Sequence, residues 1–145
     1  MSSNIMYLPI LLPFGVGILA LLIPGRIKWV REFLALISSG VVLVSALLIF
    51  FRSPPEISLS LIEMGRFNLN FHLLSDPLSA VILMFASGFC FLICFYALSH
   101  MRNNEHAKAF YSFLLIALGG TAGVVLANHW LLLLIFWEIV SASLY

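Results

Sequence analysis

The chain has 145 residues, of which 63% are hydrophobic and 9% are charged, and its formal net charge is +1. A soluble domain carries roughly 25% charged residues because water must wet its surface. The composition therefore excludes a water-soluble globule and predicts an all-α integral membrane protein. Its 7 basic residues are scattered along the chain instead of lying along one face, which argues against nucleic acid as a partner.

Five apolar segments predict about five transmembrane helices, since 18 or more consecutive apolar residues indicate one span. The first four cover residues 5–23, 33–51, 77–98 and 110–127. The fifth begins near Trp130 and is still apolar at Tyr145. A helix of about 16 residues reaches about 24 Å, short of the roughly 30 Å hydrocarbon core. We therefore expect the fifth helix to be truncated in this sequence.

The basic residues predict the orientation of these helices, because cytoplasmic loops carry an excess of Lys and Arg. Two of the seven, Arg52 and Arg66, fall in the long second connection. The other five fall in the first and third connections, and we assign all of them to loops: Arg26, Lys28, Arg31, Arg102 and Lys108. The first and third connections are thus expected in the cytoplasm, and the N-terminus outside.

Alternating residues in the second connection predict a short β-hairpin. Apolar residues alternate with serines over 57–61 and with asparagines over 67–71, and the sequence Met64-Gly65-Arg66 between them suits a turn. We expect this hairpin to lie on the outer face, in the loop over residues 52–76.

Asp76 and Pro77 suit the start of the third helix, with the aspartate as N-cap and the proline at the first helical position. A role for Asp76 in ion binding is the alternative, although capping accounts for the residue fully.

The fourth helix contains the small-residue run Gly119-Gly120-Thr121-Ala122-Gly123. Gly119 and Gly123 are four residues apart, so they are expected on one helix face. Small residues let helix backbones approach closely in a membrane. This face is predicted to pack against a partner helix, within the chain or beyond it.

The cysteines and histidines do not predict a cofactor or metal site. Cys90 and Cys94 have the spacing of neither a zinc pair nor a C-x-x-C motif, and we expect them to be packing residues. The four histidines fall in loops or at helix ends, whereas haem in a membrane bundle needs ligands on facing helices: His72, His100, His106 and His129. We expect no cofactor, no metal and no catalytic residue, so this chain alone performs neither electron transfer nor bond chemistry.

Glu138 lies in the apolar stretch Ile-Phe-Trp-Glu-Ile-Val. A charge at the centre of a membrane helix costs on the order of 3 kcal/mol, whereas each Leu, Ile or Phe returns about 0.3–0.6 kcal/mol. Ser141 and Tyr145 fall on the same helical face as Glu138 and extend it into a polar stripe. An ionisable residue in a span typically belongs to a proton or ion pathway. The alternative is a carboxyl group near a helix end that reaches the membrane interface.

The residues around Glu138 resemble a signature of the antiporter-like, proton-translocating membrane subunits of respiratory complex I. Residues 126–128, then 133–138, and finally Ser141, Ser143 and Tyr145 are similar to the pattern L-A-(D/N)…WE-x-x-S-x-S-x-Y. Leu144 departs from this pattern, because many relatives have a serine there. The family also includes subunits of membrane-bound hydrogenases, formate hydrogenlyase and multisubunit sodium/proton antiporters.

Two further stretches resemble the same family. Residues 76–79 are similar to the D-(G/P)-L-S opening of its third helix. Tyr96, Met101 and Phe110 match the aromatic, methionine and aromatic positions of its cytoplasmic loop.

The resemblance implies about fourteen helices, three leading ones followed by two inverted five-helix repeats. Residues 1–109 would then be the leading helices with the hairpin loop, and residues 110–145 the first two helices of a proton-channel repeat, the second incomplete. Glu138 would be the proton relay of that repeat, with Ser141 and Tyr145 beside it. Its partner in the family is a lysine of the seventh helix, outside this sequence. We therefore expect this sequence to be an N-terminal fragment, a split gene product or a truncated open reading frame.

The function implied by the resemblance is proton translocation within an energy-converting NADH–quinone oxidoreductase or a related hydrogenase. A subunit of a multisubunit sodium/proton antiporter and a non-transporting scaffold are the alternatives. The expected partners are the lipid bilayer, other membrane subunits, and protons or sodium ions. The expected location is the inner membrane of a prokaryotic cell.

Overall fold

A computed structural model describes residues 4–23, 28–52, 57–64, 67–73, 75–101, 104 and 106–145. The described helices are α1 (Asn4–Leu22), α2 (Lys28–Arg52), α3 (Pro77–His100), α4 (Ala107–Leu126) and α5 (Trp130–Leu144). Two strands, β1 (Ile57–Met64) and β2 (Phe67–Leu73), lie between α2 and α3. The five predicted helices are confirmed, and apart from the start of α2 their ends lie close to those of the apolar segments.

Three of the described helices are long and apolar enough to cross a membrane: Trp29–Phe51, Pro77–His100 and Ala107–Leu126. The other two, Met6–Leu22 and Trp130–Leu144, are equally apolar in character but shorter. With 15 residues, α5 reaches about 22 Å. Three candidate spans are thus established by length and composition, and spanning by α1 and α5 remains a prediction.

The start of α2 differs from the prediction. We assigned Arg31 to a cytoplasmic loop, but it lies in α2 and is only 3% exposed, and so is its neighbour Glu32. The loop assignment of Arg31 is therefore wrong. Lys28 and Lys108, which we also assigned to loops, lie at the starts of α2 and α4. The physical reason is helical periodicity: the buried face of α2 continues upstream of the apolar run, because Glu32, Ala35 and Ser39 recur at spacings of three and four. Hydropathy alone could not include two charged residues in the helix.

The two strands pair antiparallel, with Ile57 opposite Leu73 and Met64 opposite Phe67. The predicted turn residues 65 and 66 lie outside the described residues. At its end β2 approaches the helical bundle, since Leu73 is 1% exposed and forms an isolated antiparallel bridge with Ala127, the residue after α4. This contact joins the segment before α3 to the connection between α4 and α5. The side of the membrane on which the two strands lie stays a prediction.

Helix α4 occupies the centre of the bundle. It packs most extensively against α1 and α5 and also contacts α2 and α3, while α2 packs against α1 and α3. One apolar core joins Met6, Ile49, Leu126 and Phe136, and it lies toward the end of α4. A second core surrounds Tyr111 near the start of α4. The two ends of α4 therefore have different surroundings.

Candidate functional site

The glycines of α4 lie where neighbouring helices approach its backbone. A Cβ added to Gly119 would meet the Phe14 ring at 3.0 Å and the carbonyl oxygen of Ile10 at 3.1 Å, both on α1. On α5, the side chain of Val140 lies 2.6 Å from the corresponding position of Gly120. A Cβ at Gly123 would overlap the ring of Phe136. The small-residue face that we predicted from Gly119 and Gly123 therefore contacts two helices of the same chain.

These contacts set the position of α5 and the direction in which it presents Glu138. Phe136 is 7% exposed against Gly123, and Val140 lies against Gly120. Glu138 is two residues from each, so its side chain leaves the helix on roughly the opposite side. Glu138 is accordingly exposed in this bundle. The glycines of α4 thus hold the carboxyl group outward.

The other residues of the predicted polar stripe share this outward face. Ser141 and Tyr145 are both exposed, like Glu138. Ser143 lies nearer the packed side, and its hydroxyl donates to the carbonyl oxygen of Val140 at 2.7 Å. The structure therefore brings Glu138, Ser141 and Tyr145 to one surface of α5, and within the described residues none of them is enclosed by another helix.

The start of α5 has a cap that we did not predict. His129 is the N-cap residue, and its Nδ1 accepts a hydrogen bond from the backbone N–H of Leu131 at 3.3 Å. This satisfies one of the free N–H groups at the beginning of the helix. His129 thus fixes where the Glu138 helix starts.

Asp76 is the N-cap residue of α3, and Pro77 follows as its first helical residue. The Asp76 carbonyl accepts from the N–H of Ala80 at 2.9 Å, but its side chain makes no capping hydrogen bond. The carboxyl group is exposed. Its favourable position at the positive end of the helix dipole remains the physical basis for the predicted capping role.

The described residues contain no group of three His, Cys, Asp or Glu side chains that could hold a metal ion. Both cysteines are free thiols buried in the bundle, and Cys94 contacts Cys90 and Ser39. Their surroundings are those of packing residues on the α2–α3 interface.

A buried polar cluster at the start of the bundle escaped the sequence analysis. Arg31 and Glu32 of α2 lie with Tyr111 of α4 in the region where α2, α3 and α4 meet, and Tyr111 is completely buried. The signal that could have revealed it is the spacing of Glu32, Ala35 and Ser39, which places a carboxylate on the same face as small buried residues. An apolar-run criterion discards that signal, because it ends the helix at the first charge.

Sequence and structure comparisons relate this chain to known membrane proteins. Residues 61–111 match the family described as the N-terminus of chain 5 of NADH–ubiquinone oxidoreductase (complex I). The Na(+)/H(+) antiporter subunits A1 of Staphylococcus aureus strains bovine RF122 / ET3-1 and Newman are each 34% identical over 80 residues, which are 55% of this chain and 10% of theirs. A solved membrane-bound sulfane sulfur reductase, an archaeal respiratory membrane complex, superposes with a TM-score of 0.73 at 26% identity. The superposition covers 97% of this chain and 22% of the solved chain.

The chain is similar to the antiporter-like membrane subunits of complex I. The resemblance predicted from the sequence is therefore confirmed. The chain spans about a tenth of the length of the antiporter subunits that it matches. The match to complex I chain 5 ends within α4, so it does not include Glu138. The family resemblance thus has its support in the hairpin region, α3 and the bundle as a whole.

Proposed function

We propose that this chain is the N-terminal part of a proton-translocating membrane subunit, and that Glu138 relays protons. The observation that carries the proposal is the exposed carboxyl of Glu138 within an apolar helix, flanked by the hydroxyl groups of Ser141 and Tyr145. Three polar groups on one surface of a membrane helix are costly against lipid, so that surface must face protein or water in the assembled protein.

The geometry suits a relay more than a scaffold. A carboxyl group both binds and releases a proton, and neighbouring hydroxyl groups can pass protons through hydrogen bonds. The close packing of Gly120 and Gly123 against α5 holds the backbone of the carboxyl-bearing helix in place. A scaffold helix would need the packing but not the carboxyl group. If the chain were only a scaffold, replacement of Glu138 by leucine would leave every function intact.

A second candidate is a subunit of a sodium/proton antiporter that works without a redox partner. The similarity to Na(+)/H(+) antiporter subunits A1 favours it. Proton translocation within an energy-converting oxidoreductase is favoured by the likeness to a respiratory membrane complex over nearly the whole chain. The co-purifying subunits distinguish the two: flavin and iron–sulfur proteins indicate the oxidoreductase, and only small membrane proteins indicate the antiporter.

The proposal also includes an orientation, with the N-terminus outside a prokaryotic inner membrane. Without Arg31, four basic residues still lie in or beside the first and third connections, against two in or beside the second connection. This excess supports the orientation. Single cysteines, placed in a variant that has Cys90 and Cys94 replaced by alanine, test it with a membrane-impermeant thiol reagent. Cysteines placed within residues 53–75 should react with the reagent added from outside, and cysteines placed within residues 102–108 should not. The reverse pattern would contradict the orientation.

The central experiment replaces Glu138 in the natural complex that contains this chain. Glu138→Gln keeps the shape but cannot ionise, so proton transport should be abolished or strongly reduced while assembly is retained. Glu138→Asp should keep part of the activity, because it can still exchange a proton. Transport is measured with a pH-sensitive dye in sealed vesicles.

Leu134→Gln provides the matched control, since Leu134 lies one turn earlier on the same exposed face. It introduces the same amide without removing a carboxyl group, and transport should stay near normal. Normal transport in the Glu138→Gln variant would show that Glu138 is no relay. An equal loss in both variants would attribute the defect to a polar amide on this face.

A further inference from the structure

The polar cluster at the start of α2 contains three buried atoms that need a hydrogen-bonding partner. Within the described part of the chain, none is found for Arg31 Nε, Glu32 Oε1 or the Tyr111 hydroxyl. The three side chains are 3%, 3% and 0% exposed. An unsatisfied buried group costs about 1–3 kcal/mol, and more when it is charged, so folded proteins leave few of them. Three together would be costly unless a hydrogen-bonding partner reaches them.

The three side chains lie in one region of the bundle. Tyr111 shares a buried core with Ala35, one turn after Arg31 and Glu32 on α2, and with Cys94 of α3. Charge interactions of Tyr111 with Glu32 and Arg31 agree with this placement. The site therefore lies between α2, α3 and α4. A fourth unsatisfied atom, the hydroxyl oxygen of Ser38, lies about two turns deeper on α2, on the face of Arg31. The polar region thus extends into the bundle.

The chemistry of these atoms selects the ligand. Arg31 Nε–H can only donate, the Glu32 carboxylate oxygen can only accept, and the Tyr111 hydroxyl can do either. A cation would be repelled by the guanidinium group, and an anion by the carboxylate. Water donates and accepts, and buried waters typically make about three hydrogen bonds to otherwise unsatisfied groups.

We propose that Arg31, Glu32 and Tyr111 form an internal hydration site that binds ordered water between α2, α3 and α4. These atoms are shut off from bulk solvent, so water bound to them lies inside the bundle and is not surface hydration. Arg31 is the group that can move to admit it, because its side chain has several rotatable bonds while the Tyr111 ring is fixed by the surrounding core.

The proposal does not depend on the relay role of Glu138. Glu32 lies on α2, whereas Glu138 lies on the far surface of α5. Water beside a buried carboxyl group gives the leading helices a polar site of their own. It would be present whether the assembled complex exchanges protons, sodium ions or neither.

X-ray radiolysis tests the site directly in the natural complex reconstituted in nanodiscs. Hydroxyl radicals form from bound water and oxidise only side chains beside it. Tyr111 and Met6 are both 0% exposed and both react readily with radicals, but Met6 belongs to the apolar core. Tyr111 should be oxidised several-fold faster than Met6. Equal rates would overturn the proposal, whether both are slow because the site is dry or both are fast because the bundle is loose.

A variant tests whether the polar atoms cause the effect. Arg31→Leu combined with Glu32→Leu removes two of the three water-binding groups, and oxidation of Tyr111 should fall to the Met6 rate. Continued fast oxidation of Tyr111 with Met6 still protected would contradict the assignment of the site to Arg31 and Glu32. If this variant does not insert, the comparison of Tyr111 with Met6 in the unmodified protein decides the matter alone.

Discussion

Glu32 and Glu138 are two carboxyl groups on membrane helices with opposite surroundings. Glu32 is 3% exposed and lies with Arg31 and Tyr111 where three helices meet. Glu138 is exposed on the side of α5 that points away from α4. The local sequences would suggest the reverse, because Glu138 has the more apolar neighbours. The helical face on which a charge falls, and not the hydropathy around it, decides whether the bundle encloses it.

The largest effect is expected from removing one of the enclosed charges. Arg31→Leu removes a positive charge from the buried cluster and leaves the Glu32 carboxyl group enclosed without it. An uncompensated buried charge typically destabilises a protein by about 3–5 kcal/mol. The variant should therefore unfold at clearly lower SDS fractions in mixed micelles, followed by circular dichroism. No change would mean that Glu32 is not enclosed as described.

The matched control removes both charges. Replacement of buried opposite charges by apolar residues of similar volume is often neutral or stabilising. Arg31→Leu with Glu32→Leu should therefore recover most of the stability that Arg31→Leu loses. Additive losses would indicate that the two residues act separately.

A smaller effect is expected from a larger side chain at the α4–α5 contact. Gly123→Leu would force the Leu side chain into the ring of Phe136, and overpacking costs about 1–3 kcal/mol. The same titration measures it. Gly15→Leu is the control, since a Cβ at Gly15 meets nothing within 4 Å. If both variants lose the same stability, the close approach of α5 to α4 is not what holds Glu138 outward.

The smallest effect on stability is expected at the exposed carboxyl group. Among the described residues the Glu138 side chain is exposed and makes no hydrogen bond or ion pair. The five-helix portion with Glu138→Leu should therefore unfold at an SDS fraction equal to or above that of the unmodified chain. The proposed transport activity should nevertheless be lost. A marked destabilisation would show that Glu138, like Glu32, is enclosed by the bundle, and would remove the contrast between them.

The sequence by itself determined the membrane class and the helix count. Long apolar runs leave little choice of structure, because a backbone in lipid must satisfy its own hydrogen bonds, and a helix does so within one segment. The small-residue run of α4 and the Asp76-Pro77 helix start were also readable, since both depend on residues close together in the chain. The Glu138 motif was sufficient to reveal the family resemblance, which the comparisons confirm.

Only the tertiary structure decided which polar groups are buried and which helices meet. Hydropathy placed Arg31 in a loop, whereas the packing of α2 against α3 and α4 encloses it. Similarly, Gly119 faces α1 while Gly123 faces α5, although the two glycines lie on one helix only four residues apart. The reason is that hydropathy and spacing define the faces of a single helix, whereas burial depends on how several helices pack around one another.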